Sequence, residues 1–233
     1  MIYVGIDDTD NLDSQGTNQL ARKLVARVKG RFDCRLVVRH QLLFDPRVPY
    51  TSKNSSAALL FESADAADID ELADEMRNGL LEFSAEGSDP GLCVIAESVP
   101  AEVIQFGHRC QQDVVRQQDA RELAAELGIF LEGLGGTNDG VIGALCAVGL
   151  AFEGNDGRIV HIGPWPDDLE NEQPIETLHE RGVEVREVET GAVISSGVVN
   201  VGKHLRPNYR ERRIVQFVER DETSKIWNAV RLL

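Results

Sequence analysis

The sequence predicts an α+β fold of interleaved parts, and three observations predict it. Apolar segments of strand length alternate with segments of helical period over residues 1–127. A glycine-rich turn at residues 133–140 feeds the apolar run 141–152, which is longer than most strands. The 233 residues carry 42% hydrophobic and 27% charged side chains, the balance of a folded chain with a real core and room for one large or two small domains.

Residues 1–6 read as a short buried strand. Residues 18–28 put Leu20, Leu24 and Val28 on one stripe, an amphipathic helix that ends near Gly30. Over residues 32–42, Phe32, Cys34, Leu36, Val38, His40 and Leu42 alternate with Asp33, Arg35, Val37, Arg39 and Gln41, the period of a second strand with one drier face. Residues 44–55 are a loop. Apolar residues 57–61 precede Ile69, Leu72, Ala73, Met76 and Leu80 at helical spacing; residues 92–96 are apolar again and a helix opens at Pro100. This β-α-β-α pattern is half or more of a ferredoxin-like module. A helix over 119–127 breaks at Gly128, and 141–150 is a fully buried helix. A strand (158–162), a helix (175–181) and a strand (183–188) follow, and residues 191–233 are mostly strand-like.

The 24 basic and 39 acidic side chains give a net charge of −15, a field that repels nucleic acid and anionic membranes. Contact with nucleic acid is therefore disfavoured unless it uses a local patch, and one island offers it: Lys203, Arg206, Arg210, Arg212 and Arg213. The alternative is that this island forms salt bridges with the acidic body. The run 141–152 is shorter than the roughly 20 residues of a membrane span, and the amino terminus has no signal-peptide pattern. A cytoplasmic protein is expected, with self-association left open. Cys34, Cys93, Cys110 and Cys146 are widely spaced and read as reduced and structural. The five histidines lack metal spacing, and His40 reads as a core residue.

Two segments can carry chemistry. Asp7, Asp8, Asp10 and Asp13 fall within seven residues directly after a strand, and their mutual repulsion calls for a cation. Mg²⁺ suits Asp7, Asp8 and Asp10, because it takes a few carboxylates and keeps other positions for water and phosphate. The competing reading is that these side chains only cap a helix and tie a turn. The second segment is Gly133, Gly135, Gly136, Thr137, Asn138, Asp139 and Gly140, a glycine turn ahead of a helix, able to present backbone amides to phosphate. It is neither a Walker A loop nor a dinucleotide fingerprint, since Val141 and Asn138 stand where those need Lys and Gly. Arg47, Lys53, Tyr50 and Asn54 on the 46–54 loop are candidates to hold an anionic substrate, Lys53 or Arg47 also the γ-phosphate.

Together Gly5-Ile6-Asp7-Asp8-Thr9-Asp10 with Gly16 behind it, Asp45-Pro46-Arg47-Val48-Pro49-Tyr50, Asp89-Pro90-Gly91-Leu92 and Gly140-Val141-Ile142-Gly143-Ala144-Leu145 resemble the amino-terminal half of the archaeal tRNA isoleucine 2-agmatinylcytidine synthetase family. The resemblance implies a kinase-like ATP-binding unit split around an inserted ferredoxin-like domain: residues 1–55 and 128–190 for the former, 56–127 and a β extension at 191–233 for the latter. It implies that Asp7, Asp8 and Asp10 bind Mg²⁺ and ATP phosphates, with Thr9 and Gly16 beside them, and that the 133–140 loop completes the nucleotide pocket. The family's threonine pair after the loop glycine is here Thr17-Asn18, leaving Thr17 as phosphoacceptor. Too few residues remain for the family's OB domain and zinc ribbon.

The leading expectation is an Mg²⁺-ATP-dependent phosphotransferase or ligase acting on a small molecule. Two alternatives are a non-catalytic nucleotide-binding regulatory module and a tRNA-modifying enzyme that borrows a partner's tRNA-binding domain.

Overall fold

The computed structural model describes residues 1–48, 53–62, 68–96, 98–221, 223 and 226–232. The first half follows the expected alternation, with β1 (Ile2–Asp7), α1 (Thr17–Val28), β2 (Asp33–Gln41), β3 (Ser55–Glu62), α2 (Asp68–Phe83) and β4 (Gly91–Ala96). These strands lie in the order β4-β1-β3-β2, each antiparallel to its neighbour. A helical crossover returns the chain parallel to the strand it left, so β2 lies parallel to β1 with β3 slotted between them. In the same way β4 lies parallel to β3 with β1 between. This is the split β-α-β-β-α-β topology.

The other face is covered by α3 (Ala101–Gln112), α4 (Gln117–Leu127) and, after β5 (Phe130–Gly133) on the sheet edge, α5 (Gly140–Glu153). Strand alternation deals β1 between two cores. Ile2, Val4 and Ile6 pack with Leu20, Leu24, Leu72, Met76 and Leu80 of α1 and α2. Tyr3 packs with Val103 and Phe106 of α3 and Val141, Leu145 and Val148 of α5. A sheet buried on both faces needs apolar side chains at successive positions, which is why β3 and β4 read as unbroken apolar runs.

Beyond β2 the sheet continues through β6 (Arg158–Ile162) into a second region holding β7 (Glu172–Pro174), α6 (Ile175–Glu180), β8 (Val183–Glu187), β9 (Val198–Asn200), β10 (Asn208–Arg210), β11 (Arg213–Arg220) and β12 (Trp227–Ala229). Its own core gathers Ile175, Leu178, Val183, Val185, Val199 and Val218.

Strand pairing runs across the expected boundary at residue 55. A boundary at residue 55 falls at the first residue of β3, which pairs with both β1 and β2, so residues 1–55 and 56–127 share one sheet and both of its cores. The β-α-β-α pattern from residue 57 is the continuation of a unit that starts at residue 2. The described residues after 191 pack largely with residues 169–185, while Tyr209 and Ile214 join the core under α3 and α5. Among the described residues no helix is long and apolar enough to cross a membrane. All four cysteines are buried free thiols, and burial pushes the Cys34 thiol up to about 12.

Candidate functional site

β1 delivers Asp7 to the end of the sheet, and the chain turns there with Asp8 in the left-handed region (φ 52), a conformation that Asp and Asn tolerate better than other side chains. The turn is stitched to the segment before β4: Asp89 N–H donates to Asp8 O (3.0 Å) and Ala85 N–H to Thr9 O (3.0 Å). The first turn of α5 seats against the same place. A methyl group added to Gly143 would lie 1.7 Å from Asp7 Oδ2, so glycine is what lets the helix approach that carboxylate. The aspartate turn and the start of α5, far apart in sequence, thus meet, and they open into one cavity of about 1000 Å³ whose walls include Asp7, Asp8, Asp10, Asp89, Asp139 and Gly140.

The electrostatics are those of crowded carboxylates. Burial lifts Asp7 to about 7, opposed by a hydrogen bond from the Asp8 backbone and reinforced by the charges of Asp8 and Asp10. Asp8 rises to about 6, first through burial and then through Asp89, Asp10 and Asp139. Such a pair gains from a cation. Among the described residues no three His, Cys, Asp or Glu side chains gather closely enough to hold a metal by themselves. The donor set fits Mg²⁺, which one or two carboxylates hold together with substrate phosphate, and does not fit an all-protein cage.

Asp10 also lines the cavity, and it is tied from behind. Its Oδ1 accepts from Thr17 Oγ1 (3.1 Å), which in turn accepts from Thr9 Oγ1 (3.2 Å). Thr9 and Thr17 are buried, and neither they nor Gly16, which precedes α1, line the cavity. The geometry makes Thr9 and Thr17 a tie between the turn and α1, one hydrogen bond behind Asp10 on the cavity wall.

The glycine turn also differs from the expected cradle. Asp89 occupies it: Oδ1 accepts from Thr137 N–H (2.6 Å) and Oδ2 from Thr137 Oγ1 (2.9 Å). Gly136 (φ 54) is left-handed, and a methyl there would collide with the same carboxylate. The N–H groups of Leu134, Asn138, Gly140, Val141 and Ile142 donate to carbonyls of Pro90, Gly135, Asp89, Asn138 and Asp139. The loop's donors are thus largely consumed by the chain itself. Gly133 belongs to β5, and of the seven loop candidates only Asp139 and Gly140 reach the cavity. Gln117 Nε2 braces the loop from α4 by donating to Thr137 O (2.7 Å) and Asp139 Oδ1 (2.9 Å).

Lys53, Arg47 and Asn54 line the cavity; Tyr50 lies outside the described residues. Arg47 already forks onto Asp45 (2.8 Å for each arm), and Asn54 Nδ2 donates to Leu43 O (2.8 Å), tying the loop to the end of β2. The basic island lies away from the cavity. Arg206 pairs with Asp167 (2.7 Å), Arg213 with Glu184 (3.1 Å), the Arg212 guanidinium stacks 4.8 Å from the Phe152 ring, and Arg210 donates to Tyr209 O. Asp89 and Arg116 are cavity residues that the sequence reading did not assign. Asp89 stood inside a recognised tetrapeptide, whereas nothing local marks Arg116.

No family model matches the chain. It is 29% identical over 154 residues to the tRNA(Ile2) 2-agmatinylcytidine synthetase TiaS of Thermococcus sibiricus, covering 64% of this chain and 35% of that protein. The enzyme of the same name from Archaeoglobus fulgidus is 27% identical over 156 residues, covering 65% and 36%. A crystal structure of apo TiaS, tRNAIle2 agmatidine synthetase, superposes with a TM-score of 0.54 at 26% identity, over 64% of this chain and 35% of that one. A crystal structure of the TiaS-tRNA(Ile2)-ATP complex gives 0.58 at 24%, over 77% and 43%. The chain therefore resembles part of that synthetase and spans about a third of the length of the curated relatives it matches.

Proposed function

We propose that this chain is the nucleotide-using part of an ATP-dependent transferase or ligase, with Mg²⁺-ATP bound in the aspartate cavity. The observation that carries the reading is the meeting of Asp7 with the first turn of α5 inside a cavity large enough for a nucleotide. Asp7 and Asp8 would hold the ion, which would offset negative charge developing on the transferred phosphoryl group. The positive end of the α5 dipole favours phosphate at the same point. Asp89 and Gln117 keep the Asp8 turn and the glycine loop in fixed register, so that the carboxylates are prearranged rather than gathered on binding. Lys53, which lines the same cavity, would meet the γ-phosphate or the acceptor.

For the acceptor, the relatives' names favour modification of a tRNA over phosphorylation of a free small molecule, and tRNA replaces it as the first substrate to test. The charge of −15 opposes RNA only in the long-range field, and a separate tRNA-binding partner removes that objection. ATP consumption is to be followed by chromatography with tRNA, with small amines including agmatine, and with both. ADP or AMP formed only when an acceptor is present, and lost in Asp8→Asn, is the expected result. ATP bound without product in every combination would select the regulatory module instead.

A further inference from the structure

Arg39 on β2, Arg158 on β6 and Asn208 on β10 stand directly opposite one another across three adjacent strands. They share the sheet face on which Ala57, opposite Arg39 on β3, joins the α1–α2 core. None of the three lines the aspartate cavity. Arg39 is only 6% exposed, and it spends one Nη2 hydrogen on Gln41 Oε1 (2.8 Å). Among the described residues no carboxylate forms an ion pair with Arg39 or Arg158. Arg206 and Arg231 add positive potential around Arg158, and among the described residues the ion pair here is that of Arg206 with Asp167. Like charges opposed across an antiparallel pair repel, and a buried charge without a partner is costly. Burial and these neighbours hold the guanidiniums of Arg39 and Arg158 below their usual affinity for the proton.

Among the described residues, two polar atoms in this row are buried without a hydrogen-bond partner, Arg158 Nε and Asn208 Oδ1. The Asn208 amide is oriented by its Nδ2, which donates to Gly157 O and Leu232 O (both 3.3 Å), so the oxygen is the end left over. The row thus offers N–H donors with positive charge and one acceptor. A water can bridge the two orphaned atoms but leaves the positive charges opposed. A hydroxylated oxyanion carries both the negative charge and the proton that these groups lack.

We propose that the row Arg39, Arg158 and Asn208 is a binding site for hydrogen phosphate, separate from the nucleotide cavity. Its charged oxygens accept from the two guanidiniums, and its P–OH donates to Asn208 Oδ1. Sulfate has the charge but no proton at neutral pH, so it leaves Asn208 unsatisfied.

The test is calorimetric titration and thermal unfolding of the full chain with inorganic phosphate or sulfate at pH 7.5 and equal ionic strength. Phosphate is expected to bind at least about tenfold tighter than sulfate and to raise Tm with concentration. Arg158→Met is expected to lose at least about tenfold in phosphate affinity while melting no lower than wild type in phosphate-free buffer, because the opposed pair is gone. Should that variant fail to fold, Arg39→Gln is read in the same way. Asp8→Asn is expected to keep the phosphate response, which separates this site from the cavity. Equal responses to phosphate and sulfate, no response, a full response in the arginine variants, or its loss in Asp8→Asn would each overturn the proposal.

Discussion

Asp8 concentrates what the site needs in one residue. Its backbone is left-handed and accepts from Asp89, and its carboxyl is held up to about 6 by burial and by three neighbouring aspartates. Asn tolerates the same backbone conformation, so Asp8→Asn removes the charge and little else. The folded state holds the protons on Asp7 and Asp8 more tightly than an unfolded chain does. That stabilisation is complete below about pH 4 and is lost as pH rises through about 6 and about 7. Relative to wild type, Asp8→Asn should therefore raise Tm at pH 8, by about 2–4 °C for each 1 kcal/mol of relieved repulsion, and the gain should vanish near pH 4. A gain that is flat with pH would contradict the assigned crowding. Asp89→Ala removes the anion on which Thr137 N–H and Oγ1 converge and should destabilise by about 1 kcal/mol. It should also weaken nucleotide binding several-fold, measured by titration, because the loop is then no longer fixed to the Asp8 turn.

Helix α5 is the element that builds the site. Its residues from Val141 through Ala151, all buried except half-buried Ile142 on the cavity wall, pack under β1 and against α3, and this nearly all-round burial is what an apolar segment without polar face requires. Gly143→Ala places a methyl against the Asp7 carboxylate. It is expected to abolish nucleotide binding while leaving the far-ultraviolet dichroism of the fold in place. Leu145→Ala, two residues further along the helix, fully buried and outside the cavity lining, should cost about 2–5 kcal/mol in denaturant unfolding and spare the cavity wall. At this scale the sequence was readable where periodicity is local: β1, α1, α2 and α5 are found within a few residues of their expected bounds. It was unreadable where the determinant is pairing. β5 is four residues between a helix and a loop, too short for any period. Asp89 meets Thr137 across 48 positions, and Arg39 meets Arg158 only once β2 and β6 pair.

For the whole molecule, the strand order explains why the sequence pattern restarts at residue 57 while the sheet runs on without a break. The β-α-β-β-α-β order slots β3 between β1 and β2, so a boundary drawn where the pattern restarts passes through the middle of one sheet. The same order brings the loop after β1 beside the start of β4, which places Asp7, Asp8 and Asp89 at one end of the sheet where α5 begins. The most direct measurement is isothermal titration of a non-hydrolysable ATP analogue into the wild-type chain and Asp8→Asn, each with and without Mg²⁺. Binding that requires Mg²⁺ in the wild type and falls at least about tenfold in the variant is the expected result. Binding that ignores both Mg²⁺ and the loss of Asp8, or no binding in any arm, would contradict an aspartate cavity built for a metal-bound nucleotide.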